Sequence, residues 1–297
     1  MSERSSGGAP ADAGPGRPTQ VSLARLAEFG IVPRRNLGQN FLIDDNIVEL
    51  TLRRLEARPD DVAIEVGAGL GVLTKALLGA TACVHAFEID RRLEPPLRAT
   101  LGHDPRLRLR MEDIMRVRLE DLDPAPTVCA SNLPYSVAAP FLAEAVARLP
   151  QVRRYCVMMQ KEVADRLTAS PGVKDYGSLS VWMQLHVAFL DARPLSRAIF
   201  HPRPNVDSTL LTMERSIAHP LVESDPKHLR RVIDAAFASR RKTLANSLSG
   251  ALGLDKQRVL VVLESEGLTD RTRGEELLPE AYVRLAPALA ALSEQGC

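Results

Sequence analysis

The chain has 297 residues, with 38 Lys and Arg against 37 Asp and Glu for a formal net charge of +1. That balance excludes a polycation or polyanion over the whole surface, and 45% hydrophobic with 25% charged residues fits a soluble chain with one sizeable core plus a smaller domain. No window approaches 18 apolar residues without charge, so no membrane span and no membrane partner are expected.

Residues 1–20, "MSERSSGGAPADAGPGRPTQ", offer almost nothing to bury, and a flexible tail without the apolar stretch of a secretory signal is expected. Next, "RRNLGQNFLIDDNIV" reads as a loop with Gly38 entering a helix, where Asn40 and the backbone of Leu42 are placed to close over a ligand. Short β-rich runs then alternate with helix-like stretches. Strands are expected over 61–66, 82–89, 107–111, 127–130 and 154–159, with helices near 70–78, 92–101, 137–149 and 161–168. This is the rhythm of a parallel sheet covered on both faces. "SLSVWMQLHVAFL" divides into a helix and a strand near 187–190, followed by a strand over 209–213. From Pro226 onward apolar residues recur at helical spacing only. The expected organisation is a tail over 1–20, an α/β domain over 21–218 and a small all-helical domain over 219–297. The four cysteines, Cys83, Cys129, Cys156 and Cys297, fit neither a zinc spacing nor a disulfide framework. Buried free thiols in a reducing cytoplasm are expected, and no metal site.

"AIEVGAGLGVLT" is a strand running into Gly67, Gly69 and Gly71 and then a helix. Glycines there permit a tight turn and close approach of a ligand to backbone N–H groups. Val72 occupies the sixth position, where a dinucleotide fingerprint has glycine, which weakens a dehydrogenase reading. Glu88 ends the second strand, where a carboxylate can accept from both ribose hydroxyls of an adenosine, and Asp113 follows the third. In open α/β sheets ligands lie beyond the carboxyl ends of the strands. A sulfonium cofactor with a positive charge and no phosphate suits so many carboxylates better than a pyrophosphate does. Two other roles stay open at this point, Asp113 as an N-cap and Glu88 as a surface acid.

The fourth strand ends in "SNLPY". Asn132 and the backbone carbonyl of Leu133 offer two acceptors for the exocyclic amine of adenine, Pro134 holds the turn, and Tyr135 offers a ring for stacking. Two acceptors draw the amine toward a tetrahedral shape whose lone pair is available to a methyl group, without a strong general base or a metal. In "AIFHPRPNVDS", Phe200 precedes a loop stiffened by Pro202 and Pro204, either as a second stacking ring or as a core residue. Between Pro226 and Arg258, eight Lys or Arg face only Asp234 and Asp255. Arg240, Arg241 and Lys242 are expected there on a helix as a contact for a polyanion, with a solvated helix face as the alternative.

These segments resemble the ribosomal RNA adenine N6,N6-dimethyltransferases, which act on small-subunit RNA late in assembly. The resemblance runs through "LGQNFLIDDNIV", "AIEVGAGLGVLTKALL", "VHAFEIDRRL", "EDIM", "SNLPYSVAAPFL", "MMQKEVADRL", "YGSLSVWMQ", "FHPRPNVDSTLL" and "AAFASRRKTLANSL", covering 34–249 in order. It implies a Rossmann-like S-adenosylmethionine-dependent methyltransferase sheet followed by a helical domain. It implies cofactor contacts at Asn40, Leu42, Gly67, Glu88, Asp113 and Asn132, and target-adenine contacts at Asn132, Leu133, Pro134, Tyr135 and Phe200. The implied reaction is transfer of two methyl groups from S-adenosyl-L-methionine to N6 of each of two adjacent adenosines near the 3′ end of the small-subunit rRNA, within a pre-30S particle, by a cytoplasmic monomer. Asn36 departs from the family pattern at a position often basic or small. The rivals are a large-subunit rRNA methyltransferase of the macrolide-resistance type and a non-catalytic rRNA-binding assembly factor, against which Asn132 and Tyr135 argue.

Overall fold

The computed structural model describes residues 20–34, 37–216, 225–239 and 241–294. Residues 1–19 of the tail expected over 1–20, together with Asn36, Arg240 and Cys297, lie outside the described residues. In chain order the first elements are α1 (Gln20–Glu28), β1 (Phe41–Leu42), α2 (Asp45–Leu55), β2 (Val62–Val66), α3 (Val72–Ala80), β3 (Cys83–Phe87), α4 (Glu94–Leu101) and β4 (Leu107–Arg110). There follow β5 (Val128–Asn132), α5 (Ala138–Arg148), β6 (Arg154–Gln160), α6 (Lys161–Thr168), α7 (Ser178–His186), β7 (Val187–Leu195), β8 (Phe200–His201) and β9 (Ser208–Arg215). The remaining helices are α8 (Pro226–Ala236), α9 (Leu244–Leu252), α10 (Lys256–Ser265) and α11 (Pro279–Glu294).

Seven strands form one sheet in the order β4-β3-β2-β5-β6-β9-β7. The first five run parallel, β9 returns antiparallel to β6, and β7 pairs antiparallel with β9. Central strands such as β2, "VAIEV", are buried along their whole length, as a parallel strand covered on both faces must be. Alternation then sorts side chains between two cores. Ala63, Val128 and Cys156 pack with α2, α3 and α4, whereas Ile64, Cys129 and Val157 pack with α5, α6 and α7. The second of these cores continues without a break into Leu229, Val232, Leu248, Leu263, Leu285 and Leu289 of the C-terminal helices. A buried polar link fastens that extension, from Tyr176 Oη to the Leu277 carbonyl at 2.8 Å, and within the extension Tyr282 Oη donates to the Gly274 carbonyl at 2.6 Å.

The structure corrects two local expectations. Gly38 does not lead straight into a helix: the chain first forms β1, which pairs with β8, and α2 starts only where Asp44 accepts from the N–H groups of Asn46 and Ile47 at 2.9 and 3.3 Å. Arg241 and Lys242 do not lie on a helix. α8 ends at Ala236, the Lys242 N–H turns back to the Ser239 carbonyl at 3.0 Å, and Thr243 opens α9. Cys83, Cys129 and Cys156 are buried free thiols, and no described helix is long and apolar enough to cross a membrane.

Candidate active site

The carboxyl ends of the parallel strands meet where two tight turns touch. Gly67, just past β2, has φ +81°, and a Cβ there would lie 3.0 Å from Pro134 Cδ and 3.2 Å from the Asn132 carbonyl oxygen. Any side chain at 67 would therefore push the turn after β5 away. Gly69, at φ +59°, leaves equivalent room for the Phe41 ring, 3.2 Å from where its Cβ would stand.

The amides of this glycine loop are already committed. Gly67 and Ala68 N–H both donate to the Phe87 carbonyl, at 2.8 and 3.0 Å, and Gly69 N–H donates to Glu88 Oε2 at 2.9 Å. A pyrophosphate cradle would turn such amides toward the ligand. Here they brace the end of β3 instead. Glu88 Oε1 accepts from the Asp90 N–H at 2.9 Å, and burial pushes the Glu88 carboxyl up from its ordinary range while those backbone donors oppose the shift.

Asn132 ends β5, and its Nδ2 donates to the Asn40 carbonyl at 2.9 Å. A carbonyl only accepts, so this bond fixes the amide orientation and leaves Oδ1 as the remaining acceptor of that side chain. Leu133 is buried and tied through its N–H to the Met158 carbonyl at 3.0 Å; the Pro134 carbonyl receives the N–H groups of Val137 and Ala138, which starts α5. Tyr135 is half-buried, with its hydroxyl 3.3 Å from Ser208 Oγ, and burial raises that phenol above its usual range.

One cleft of about 460 Å³ is lined by Asn40, Gly67, Gly69, Glu88, Asn132, Leu133, Pro134 and Tyr135, together with Gln39, Phe41 and Ile89. Asp113 lines an adjoining cleft that shares Gly67, Glu88 and Pro134, and its carboxylate also caps the next turn by accepting from the Met115 N–H at 3.0 Å. Leu42 lines a third, with Gly69, Asn132 and Glu65. Phe200 lies elsewhere. It is 4% exposed, its strand β8 pairs with β1 opposite Leu42, and its ring belongs to the core with Leu195 and Leu210, so it presents no face to a base in this arrangement. The antiparallel pairing sets that side chain inward. Arg241 and Lys242 are exposed in the turn between α8 and α9, away from these clefts.

Two features had no role assigned to them in the reading of the motifs, although Glu65 stands at the strand end that opens the glycine loop. Glu65 is fully buried in β2, its Oε2 has no hydrogen-bond partner among the described residues, and burial, with Glu88 adding to it, lifts its carboxyl to about 8 despite the opposing Thr74 hydroxyl. A lone acid inside "VAIEV" was the available signal, because a wholly buried strand otherwise excludes one. An acid with an orphan oxygen beside Leu42 and Gly69 suits a ligand that carries positive charge and N–H groups. The second is a cleft of about 690 Å³ beyond Tyr135, lined by Gln39, Asn40, Gln160, Arg203, Asn205 and the prolines 202 and 204. Among the described residues it contains no carboxylate.

Residues 32–290 match the family model described as ribosomal RNA adenine dimethylase. The chain belongs to that family. Membership makes it an enzyme of the S-adenosylmethionine-dependent rRNA methyltransferase class. It is 42% identical over 265 residues to "Ribosomal RNA small subunit methyltransferase A" of Streptomyces coelicolor, covering 88% of this chain and 92% of that one. It is 38% identical over 287 residues to the protein of the same name from Geobacillus kaustophilus, covering 94% and 97%. The fold matches a dimethyladenosine transferase from Plasmodium falciparum with a TM-score of 0.73 at 21% identity, over 85% of this chain and 98% of that one. It also matches the 23S rRNA methyltransferase ErmE with a TM-score of 0.63 at 24% identity, over 84% and 100%. The enzyme thus shares a Rossmann-like sheet and C-terminal helices with both.

Proposed function

We propose that the enzyme dimethylates N6 of two adjacent adenosines in the 3′-terminal hairpin of small-subunit (16S) rRNA, on a pre-30S particle in the cytoplasm and as a monomer, with S-adenosylmethionine as methyl donor. The observation that carries this reading is the orientation of Asn132, whose Nδ2 is held by Asn40 so that Oδ1 is left to accept. With the Leu133 carbonyl it makes a two-acceptor site for a primary aromatic amine. Both residues line the cleft that Glu88 and Gly67 share. The small-subunit assignment is supported by the printed names of the Streptomyces and Geobacillus relatives, nearly all of whose length this chain covers.

S-adenosylmethionine supplies an electrophilic methyl group on a cationic sulfur. Glu88 would hold the ribose hydroxyls, Asp113 the adenine edge, and Glu65 with Asn40 and Leu42 the amino-acid end. Tyr135 stands between these acids and the carboxylate-free cleft that holds Arg203. That partition suits a cation on one side and a polyanion on the other. A loop adenosine unstacks at less cost than a paired one, so it is the better occupant of a site walled by Tyr135. Incubating undermethylated small subunits and, separately, large subunits with labelled S-adenosylmethionine tests the assignment: label is expected in small-subunit rRNA, and label in large-subunit rRNA alone would contradict it.

A further inference from the structure

The wall of the donor cleft is fastened by a side chain that none of the contacts above uses. Gln39 Nε2 donates to Asp90 Oδ2 at 2.9 Å, while Gln39 Oε1 accepts from the Arg34 N–H at 2.7 Å. Asp90 is 4% exposed and is itself held rigidly. Its Oδ1 accepts from Arg92 N–H and Nε at 3.2 and 3.0 Å, and its Oδ2 from Arg92 Nη2 at 2.5 Å. Arg92 reaches the same wall a second time, with Nη1 donating to the Val32 carbonyl at 3.3 Å. The Asp90 N–H in turn donates to Glu88 Oε1. The acid that faces the ribose site and the acid that anchors the wall therefore sit two residues apart on one turn.

We infer that Gln39 is a positioning residue for the methyl donor, acting by tying the wall at residues 37–39 to Asp90 so that Leu37 and Gly38 stay over the Glu88 side of the cleft. Gln39 lines both the donor cleft and the carboxylate-free cleft, so its anchor holds the partition between them. The bond to Asp90 joins a neutral donor to a buried carboxylate, a class stronger than a neutral pair. The neighbouring residue is secured separately, since the Asn40 carbonyl accepts from Asn132 and Phe41 is paired with His201 in β1. Loss of the Gln39 bond should thus free the wall over the donor more than it disturbs the acceptor site.

This inference rests on S-adenosylmethionine being the donor, and the test keeps the two apart. Gln39→Met keeps the length and bulk of the side chain without its hydrogen bonds; Gln39→Ala removes both. Dissociation of S-adenosylmethionine, followed by stopped-flow chase on the full-length chain, should accelerate by about tenfold in both variants. KM for the donor should rise in step, with kcat at saturating donor within about threefold of wild type. A Gln39→Met protein with wild-type dissociation would show that packing, not the anchor, holds the wall, and a fall in kcat with KM unchanged would move Gln39 to the acceptor site; either overturns the inference. If the unmodified chain bound no S-adenosylmethionine, the donor assignment itself would fall, and the role of Gln39 with it.

Discussion

Asn132 shows how one hydrogen bond can decide what a residue offers. Because one N–H of its amide is held by the Asn40 carbonyl, the amide orientation is fixed with its oxygen as the acceptor offered to an amine, and Asn132→Ala removes an acceptor whose orientation was set before substrate arrived. Single-turnover methylation should slow by about 10²-fold, while S-adenosylmethionine affinity measured by calorimetry changes far less; near wild-type turnover would mean other groups orient the amine. Glu65 makes a separate prediction through pH. Its folded-state carboxyl is raised from 4.5 to about 8, so between those values the folded chain holds a proton that the unfolded chain has released, and stability must fall as pH rises through that window. Below about pH 4.5 the penalty is absent. Thermal melts of the ligand-free protein between pH 5 and 8 should therefore slope downward, and Glu65→Gln should flatten that component of the slope. Parallel slopes for the two proteins would show that Glu65 is ionised in the fold.

At the scale of elements, the site depends on the turn after β2 fitting against the turn after β5. Gly67→Ala forces a side chain into φ +81° and against Pro134 and the Asn132 carbonyl. A strained backbone position costs roughly 1–3 kcal/mol before the clash is added. The expected result is a lower melting temperature together with loss of donor binding; a variant with unchanged melting and binding would show that the two turns are not in contact in solution. The turn between α8 and α9 carries the other prediction. Arg241 and Lys242 are exposed there, whereas Arg230 is engaged by Asp234 at 2.9 Å and lies over the Trp182 ring at 5.1 Å. Neutralising Arg241 and Lys242 should weaken binding to pre-30S particles and reduce the salt slope by about one to two phosphate contacts, with the melt unchanged; an unaltered slope would remove this turn from the RNA footprint.

What the sequence made legible follows the range of the interactions. The glycine loop, Glu88, Asp113 and Asn132 to Tyr135 each stand within a few residues of a strand end, so periodicity and turn chemistry were enough to bring them together. The Gln39–Asp90 anchor joins residues 51 apart and leaves no local trace. Phe200 could be seen as an aromatic before a proline loop, but its side was set by the pairing of β8 with β1. The break at Ala236 was masked because "AAFASRRKTL" keeps helical spacing while its backbone turns back at Ser239.

Across the whole molecule the arrangement is a division of charge. Glu88, Glu112 and Asp113 line the clefts over the strand ends, and among the described residues the cleft beyond Tyr135 has none. With the loop amides committed to Phe87 and Glu88, calorimetry should show binding of S-adenosylmethionine and none of NAD; the reverse would contradict the donor assignment. On the proposed reading this partition serves a methyl transfer to adenine nitrogen on small-subunit RNA. Mass-spectrometric mapping of rRNA from undermethylated 30S particles, after incubation with the enzyme and S-adenosylmethionine, tests it most directly. Two neighbouring adenosines near the 3′ end should each gain two methyl groups on N6, with neither modified by Asn132→Ala in the same time; methylation at any other base, or none with the unmodified enzyme, would contradict this reading.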